Sequence, residues 1–153
     1  MKAIVPILIG ALLGSAAVLP LVGADEDDRY SPVHAILRAA REGDAALKAL
    51  LAKGVDINAT DEDGETALME AADSRRYTEA LRVLIANGAN VNLADEDGET
   101  ALMRAADEGT VEAVRLLLQA GANPAARDED GETALDKAID EGNREVINLL
   151  RAQ

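Results

Sequence analysis

The chain has 153 residues, enough for one domain, and a net charge of −14 from 15 Lys and Arg against 29 Asp and Glu. The absence of cysteine excludes disulfide frameworks, thiolate metal sites and cysteine nucleophiles. A single histidine, the lack of Trp and Phe and the excess of acid argue against paired-imidazole catalysis, base stacking and nucleic-acid binding.

The N-terminal segment, residues 1–24, is apolar apart from Lys2 and ends in small residues before an acidic run. This pattern is typical of a secretory signal peptide, and we predict cleavage after Ala24. The alternative is an uncleaved membrane anchor, because the apolar run has about the length that spans a bilayer. Residues 25–30 then form an acidic linker.

The rest of the chain is a series of internal repeats. The string Asp-Glu-Asp-Gly-Glu-Thr-Ala-Leu occurs at residues 61–68, 95–102 and 128–135, and a diverged copy lies upstream of the first. We divide the chain into four repeats, at about 31–60, 61–94, 95–127 and 128–153.

The sequence of each repeat predicts a turn, a helix, a second turn and a second helix. A threonine before each first apolar run is a helix N-cap, and glycines follow the helical runs where tight turns are needed. One helix pair is too thin to bury its own apolar face, so the repeats must stack into a continuous core. The predicted helices are 32–42, 45–53, 66–74, 78–87, 100–108, 111–120, 133–141 and 143–151.

These motifs resemble the ankyrin repeat family, whose pattern is roughly D-x-x-G-x-T-P-L-H-x-A-A-x-x-G, an apolar helix and G-A-D-V-N. The resemblance covers Ser31 to Gln153 and implies an all-α solenoid of about four repeats with short β-turn fingers. It also implies a protein-binding module without catalytic activity or cofactor. The Pro and His of the pattern are replaced, so we expect its Thr–His hydrogen bonding to be lost. The replacing residues are Ala67, Ala101 and Ala134 for Pro, and Met69, Met103 and Asp136 for His.

Two chemical functions are alternatives to this interpretation. His34 is the single imidazole and has no visible catalytic partners, so the sequence does not support an enzyme. The Asp-Glu-Asp-Gly turn resembles half of a calcium loop, but loop position one is Ala59 in the first copy. Position twelve is Arg104 or Lys137 in the later copies. Binding of calcium or polyamines at these turns is the alternative function.

An acidic surface is the strongest functional signal. The resemblance assigns partner binding to the turn tips and to the ends of the first helices, which line a concave groove. A groove of one charge attracts the opposite charge, so we predict a basic protein partner. The alternative is a surface selected for solubility, because the tips are identical. The acidic candidates are Glu62, Asp63, Glu65, Asp73, Glu96, Asp97, Glu99, Asp107, Glu108, Glu129, Asp130, Glu132, Asp140 and Glu141.

A basic and aromatic cluster, Arg75, Arg76 and Tyr77, interrupts this surface at a one-residue insertion in the second repeat. Arg and Tyr are favoured anchors in protein interfaces, so these residues are further partner-binding candidates. The alternative is a lengthened loop in which Tyr77 covers an apolar slot of the core.

The predictions combine into an exported, monomeric ankyrin-type protein in a bacterial periplasm, or secreted. It would act either as an inhibitor or immunity protein or as a scaffold or accessory protein. After signal cleavage it would contact no membrane, and it would bind neither nucleic acid nor a metal ion.

Overall fold

The computed structural model describes residues 31–153, so the predicted signal peptide and linker lie outside the described residues. This part of the chain contains eight α-helices and one short 3-10 helix, Arg75–Tyr77. None of its helices has the length and apolar character needed to cross a bilayer. The α-helices are α1 Pro32–Glu42, α2 Asp44–Leu51, α3 Ala67–Ala72, α4 Thr78–Ala86, α5 Ala101–Asp107, α6 Val111–Gln119, α7 Ala134–Asp140 and α8 Arg144–Arg151.

Each predicted helix is present, and no end is shifted by more than two residues. The later first helices begin one residue after the threonine, because that residue is the N-cap: Thr66 Oγ1 accepts a hydrogen bond from Met69 N at 3.2 Å. Helix α3 stops two residues before its predicted end. Ser74 starts the 3-10 helix there by accepting a hydrogen bond from Arg76 N, and the extra residue of this repeat lies in that segment.

The cap contact expected to be lost is replaced by other side chains in two repeats. Met69 Sδ accepts a hydrogen bond from Thr66 N at 3.4 Å, a weak sulfur contact. In the last repeat Asp136 Oδ2 accepts from Thr133 N at 2.9 Å and from Thr133 Oγ1 at 2.8 Å. The substitutions therefore keep a capping contact between the two positions in those repeats.

Stacking of equivalent helices builds one continuous core. First helices pack on first helices, α1 to α3 to α5 to α7, and second helices α4, α6 and α8 pack in a parallel row. Alanine side chains that are 0% exposed let neighbouring helices approach closely. In α7, the first helix of the last repeat, Ile139 is 44% exposed because no further repeat covers it in the described structure. The buried residues of this core include Leu68, Ala71, Leu81, Leu84, Leu102, Ala105, Val114 and Leu117. Ile85 and Leu118 are half-buried.

The turns between repeats form a stacked row of fingers. Within a finger, Asp95 Oδ1 accepts hydrogen bonds from Asp97 N at 3.0 Å and Glu99 N at 2.8 Å, which closes the turn. Neighbouring fingers are joined through their backbones, because Glu129 N donates to Asp97 O at 2.9 Å. The matching bond from Glu96 N to the previous finger is 3.1 Å long. Every finger therefore has a fixed position relative to the next.

Candidate protein-binding surface

The outermost carboxylates of the fingers are exposed and carry uncompensated charge. Within residues 31–153 none of them forms an ion pair. The two tip carboxylates of each finger are separated from those of the next finger by one repeat. They are Glu62, Asp63, Glu96, Asp97, Glu129 and Asp130.

The glutamate that follows each finger glycine has a different role. Glu65 Oε1 lies 2.5 Å from Arg104 Nη2, and the same nitrogen lies 2.6 Å from Asp95 Oδ2. Asp95 is 4% exposed and Arg104 is 14% exposed, so the pair is largely removed from water. Arg104 thus joins the finger of the second repeat to that of the third.

Lys137 repeats this arrangement one unit later. Its Nζ lies 2.7 Å from Glu99 Oε1, 3.0 Å from Asp128 Oδ2 and 3.7 Å from Glu132 Oε2. We call this network the ion-pair ladder; it consists of Glu65, Asp95, Glu99, Arg104, Asp128, Glu132 and Lys137.

The ladder stabilises the charged forms of Asp128, Lys137 and Arg104. Burial on its own would raise the pKa of Asp128, but hydrogen bonds from Lys137 and from backbone amides outweigh it and lower that pKa. Burial would lower the pKa of Lys137, but the carboxylates of Glu99 and Asp128 raise it. The pKa of Arg104 is raised in the same way by its two carboxylate partners. These charged groups are therefore paired with one another within the protein.

The ladder separates three predicted site residues from the other acidic candidates. Glu65, Glu99 and Glu132 contact cations of this chain, whereas sequence reasoning grouped them with the free tips. In the sequence, Arg104 and Lys137 stand out only as residues that do not fit a calcium loop. The available signal was a basic residue at the same repeat position in the third and fourth repeats.

Carboxylates also collect at the C-terminal ends of the first helices, where none forms an ion pair within the described part of the chain. The helix dipole disfavours negative charge at this end, by about 0.3–1 kcal/mol per group. For Asp73, burial followed by repulsion from Glu108 raises the pKa, with smaller contributions from Glu65 and Asp107. The residues concerned are Asp73, Asp107, Glu108, Asp140 and Glu141.

The inserted cluster divides between the core and the surface. Tyr77 is half-buried against the core, and the Arg41 guanidinium carbon lies 4.9 Å from the centre of its ring, a cation–π contact. Arg75 and Arg76 are exposed and form no ion pair with residues 31–153. Tyr77 therefore contributes to packing, as its alternative interpretation expected, and the two arginines remain free to contact a ligand.

The two chemical candidates are His34 and the finger turns. His34 is about half exposed, and its Nε2 lies 4.0 Å from Glu70 Oε1, the limit of an ion pair. In the region from 31 to 153 no three His, Asp or Glu side chains are grouped so that they could hold a metal ion. The first aspartate of each finger instead accepts hydrogen bonds from its own turn, as Asp61 and Asp128 do.

Comparison with known proteins agrees with this architecture. A family model described as ankyrin repeats (3 copies) matches residues 7–95, 36–128 and 77–153, which together span most of the chain. No curated protein matches the sequence. Proteins of this kind bind other proteins and are typically not enzymes. With its helix pairs, finger turns and stacked core, the chain belongs to the ankyrin repeat family.

Proposed function

We propose that this chain is an exported protein-binding module that holds a basic partner on its acidic surface. That surface comprises the outer finger carboxylates and the carboxylates at the ends of the first helices. One observation carries the proposal: the eleven acidic side chains of this surface have no cationic partner within residues 31–153, although Arg104 and Lys137 pair with other carboxylates of the same fingers. The partner is a basic enzyme that this protein inhibits, or an envelope protein that it supports as a scaffold.

The positions of the free charges also favour binding over solubility alone. Acidic groups at helix C-terminal ends reduce stability, and charge for solubility could lie on any exposed face. The backbone bonds between Glu96 and Asp63 and between Glu129 and Asp97 fix the spacing of the tips. A rigid array of one charge accelerates the approach of an oppositely charged surface and needs little ordering on binding.

Export is a separate part of the proposal, supported by the apolar segment 1–24 and the acidic run after it. Removal of this segment would leave a protein that starts at Asp25. Intact-mass measurement of the natively purified protein tests this directly. A mass that includes residues 1–24 would contradict cleavage and favour the membrane-anchored alternative.

The binding proposal is tested by affinity capture from envelope extract with the natively processed, C-terminally tagged protein, at low and at high salt. We expect one basic protein, retained at low salt and weakened at high salt, because exposed charge interactions are screened. Absence of any enriched protein at both salts would contradict the proposal. In that case a rise in melting temperature with calcium but not magnesium would favour cation binding.

Once the captured partner is known, the rate at which it associates with two double variants of this protein can be compared. Glu96→Gln with Asp97→Asn removes two outer tip charges without touching the ion-pair ladder, and we expect association to slow by about fivefold. The control, Glu79→Gln with Asp44→Asn, removes the same charge from two second helices, where Glu79 is 82% exposed and Asp44 is 52% exposed. Equal effects of the two double variants would mean that net charge matters and the finger surface does not.

A further inference from the structure

The outer face of the last repeat exposes apolar side chains. In α7, Ile139 is 44% exposed, and within the described part of the chain it is the only large apolar side chain that is exposed. Its counterparts at the same repeat position, Ala72 and Ala106, are 0% exposed, and the next first helix packs against each of their helices. Leu135, one helical turn before Ile139, is half-buried, whereas its counterpart Leu102 is 1% exposed. The surface that interior repeats use for stacking is therefore exposed at this end.

The finger of the last repeat is open on the same side. A Cβ atom on Gly98 would lie 3.1 Å from the backbone of the next finger, whereas one on Gly131 would meet no atom within 4 Å. Asp63 O and Asp97 O each accept a backbone hydrogen bond from the following finger. The equivalent oxygen, Asp130 O, accepts none from the described residues. The last finger therefore presents the backbone acceptor that joins the interior fingers to one another.

The ion-pair ladder also lacks a cation at this end. Glu65 lies 2.5 Å from Arg104 of the following repeat, and Glu99 lies 2.7 Å from Lys137 of the following repeat. Glu132 has the same position in the last finger, is 42% exposed and lies 3.7 Å from Lys137 of its own repeat. A further repeat with a cation at the ladder position would pair with Glu132 in the same way.

The first repeat carries such a cation, Arg38. Residues 35–43, Ala-Ile-Leu-Arg-Ala-Ala-Arg-Glu-Gly, align with residues 101–109, Ala-Leu-Met-Arg-Ala-Ala-Asp-Glu-Gly, and the alignment places Arg38 at the position of Arg104. Arg104 faces the preceding repeat, because it pairs with Glu65 of that repeat. Arg38 is exposed and forms no ion pair with another described residue.

Small apolar side chains lie on the corresponding side of the first repeat. In α7, Ala134 and Ala138 are 2% and 0% exposed, where this helix packs against α5 of the preceding repeat and against α8. Their counterparts in α1 are Ala35, which is half-buried, and Ala39, which is 9% exposed. Alanines at these positions leave room for a branched side chain such as that of Ile139.

We infer that copies of this chain associate end to end, with the last repeat of one copy stacked on the first repeat of a second copy. Ile139 is then covered as its alanine counterparts are, and Glu132 pairs with Arg38 of the second copy. Both contacts continue the stacking and the ladder that already join the repeats within the chain. Because the two surfaces differ, the association is open-ended and not limited to a dimer. This differs from the monomer predicted from the sequence.

Sedimentation equilibrium of the natively processed, untagged protein tests this inference. A salt concentration of about 0.15 M screens the repulsion between the acidic chains. We expect the weight-average mass to rise between about 10 µM and about 1 mM protein, because one repeat face is smaller than a standard interface and binds weakly. A monomer mass over this whole range would overturn the inference.

The apolar contact is tested by Ile139→Ser, which changes no charge. We expect association to weaken about tenfold, because less apolar surface is buried between the copies. Urea unfolding of the variant shows whether the repeat itself stays folded. A folded variant that associates as tightly as the parent would overturn the inference. So would loss of a foreign protein from affinity capture in this variant, because the end face would then belong to that protein.

The charge pairing is tested by Arg38→Glu with Arg76→Glu as its matched control, since both change an exposed arginine in the same way. Arg38→Glu should weaken association at least about fivefold, and Arg76→Glu less than about twofold. Equal association of the two variants would mean that the first repeat takes no part, and would overturn the inference. These results do not depend on the proposed acidic surface, since neither Glu96 nor Asp97 contributes to the end contact.

Discussion

The finger of the third repeat and that of the fourth have the same eight residues and almost the same backbone, with Gly98 at φ 78° and Gly131 at φ 80°. Their surroundings differ. A Cβ atom on Gly98 would lie 3.1 Å from Asp128 Cα, whereas one on Gly131 would meet no atom within 4 Å. The same eight residues therefore form the same turn in both repeats. How much each turn contributes to stability depends on whether another repeat packs against it.

The charges of the two fingers differ in the same way. Glu99 contacts Lys137 of the next repeat at 2.7 Å and lies 3.8 Å from Arg104 of its own. Its counterpart Glu132 is 42% exposed and, among residues 31–153, pairs only with Lys137, at 3.7 Å. The interior finger therefore pairs with cations of two repeats, whereas the last finger pairs with Lys137 of its own repeat and leaves more of its charge in water.

The largest expected effect comes from removing a cation of the ladder. Arg104→Met leaves Asp95, which is 4% exposed, beside Glu65 and Glu99 without a counter-charge. We expect the free energy of unfolding to fall by about 4 kcal/mol, because breaking a buried pair leaves an uncompensated charge. Urea denaturation followed by circular dichroism measures this loss.

An exposed arginine is the control for that variant. Arg82 also pairs with a glutamate of the next repeat, Glu112 at 2.7 Å, but both side chains are about half exposed. Arg82→Met should cost less than about 1 kcal/mol, as expected for a surface pair. Similar losses in Arg104→Met and Arg82→Met would contradict the structural importance of the ladder.

The finger glycines test the stacking comparison itself. Gly98→Ala and Gly131→Ala carry the same strain at positive φ, which we put at about 1 kcal/mol. Gly98→Ala also forces a methyl group against the backbone of Asp128 and Glu129, so its total cost should be about 3 kcal/mol. Thermal or urea unfolding of both variants measures the difference, and equal costs would show that the fingers do not stack as described.

The smallest effect is expected at the end of a first helix. Asp73→Asn should raise the free energy of unfolding by about 0.5 kcal/mol at neutral pH, by removing negative charge from a helix C-terminus. The raised pKa means that folded Asp73 holds its proton more tightly than the unfolded chain does. Ionisation as the pH rises above the ordinary value of 3.8 therefore removes stability, and the advantage of the variant should grow over that range.

The control for this prediction is Asp63→Asn, which removes an exposed tip charge away from any helix end. Its stability should stay within about 0.5 kcal/mol of the parent at every pH. A wild-type-like pH profile for Asp73→Asn would contradict the link between its raised pKa and stability. Unfolding curves between acidic and neutral pH provide the measurement for both variants.

Sequence patterns predicted most of the fold and only part of the candidate surface. The threonine caps, the turn glycines and the apolar spacing are local signals, so helices such as α1 and α6 could be placed within two residues. The exposed tips Glu62 and Asp63 also followed from the repeat pattern. The ion-pair ladder was not predicted, because its members come together from different repeats only when the repeats stack.

The sequence by itself determined the number of repeats, the order of helices and turns and the charge of the fingers, because each depends on residues a few positions apart. Only the tertiary structure decided which charges are free. Glu65 and its partner Arg104 are 39 residues apart in the chain, and stacking brings their charged atoms together. The attraction between charges depends on their distance and burial. Residues of the same type therefore stabilise the fold where they belong to the ladder, and they are available for binding where they lie at the finger tips.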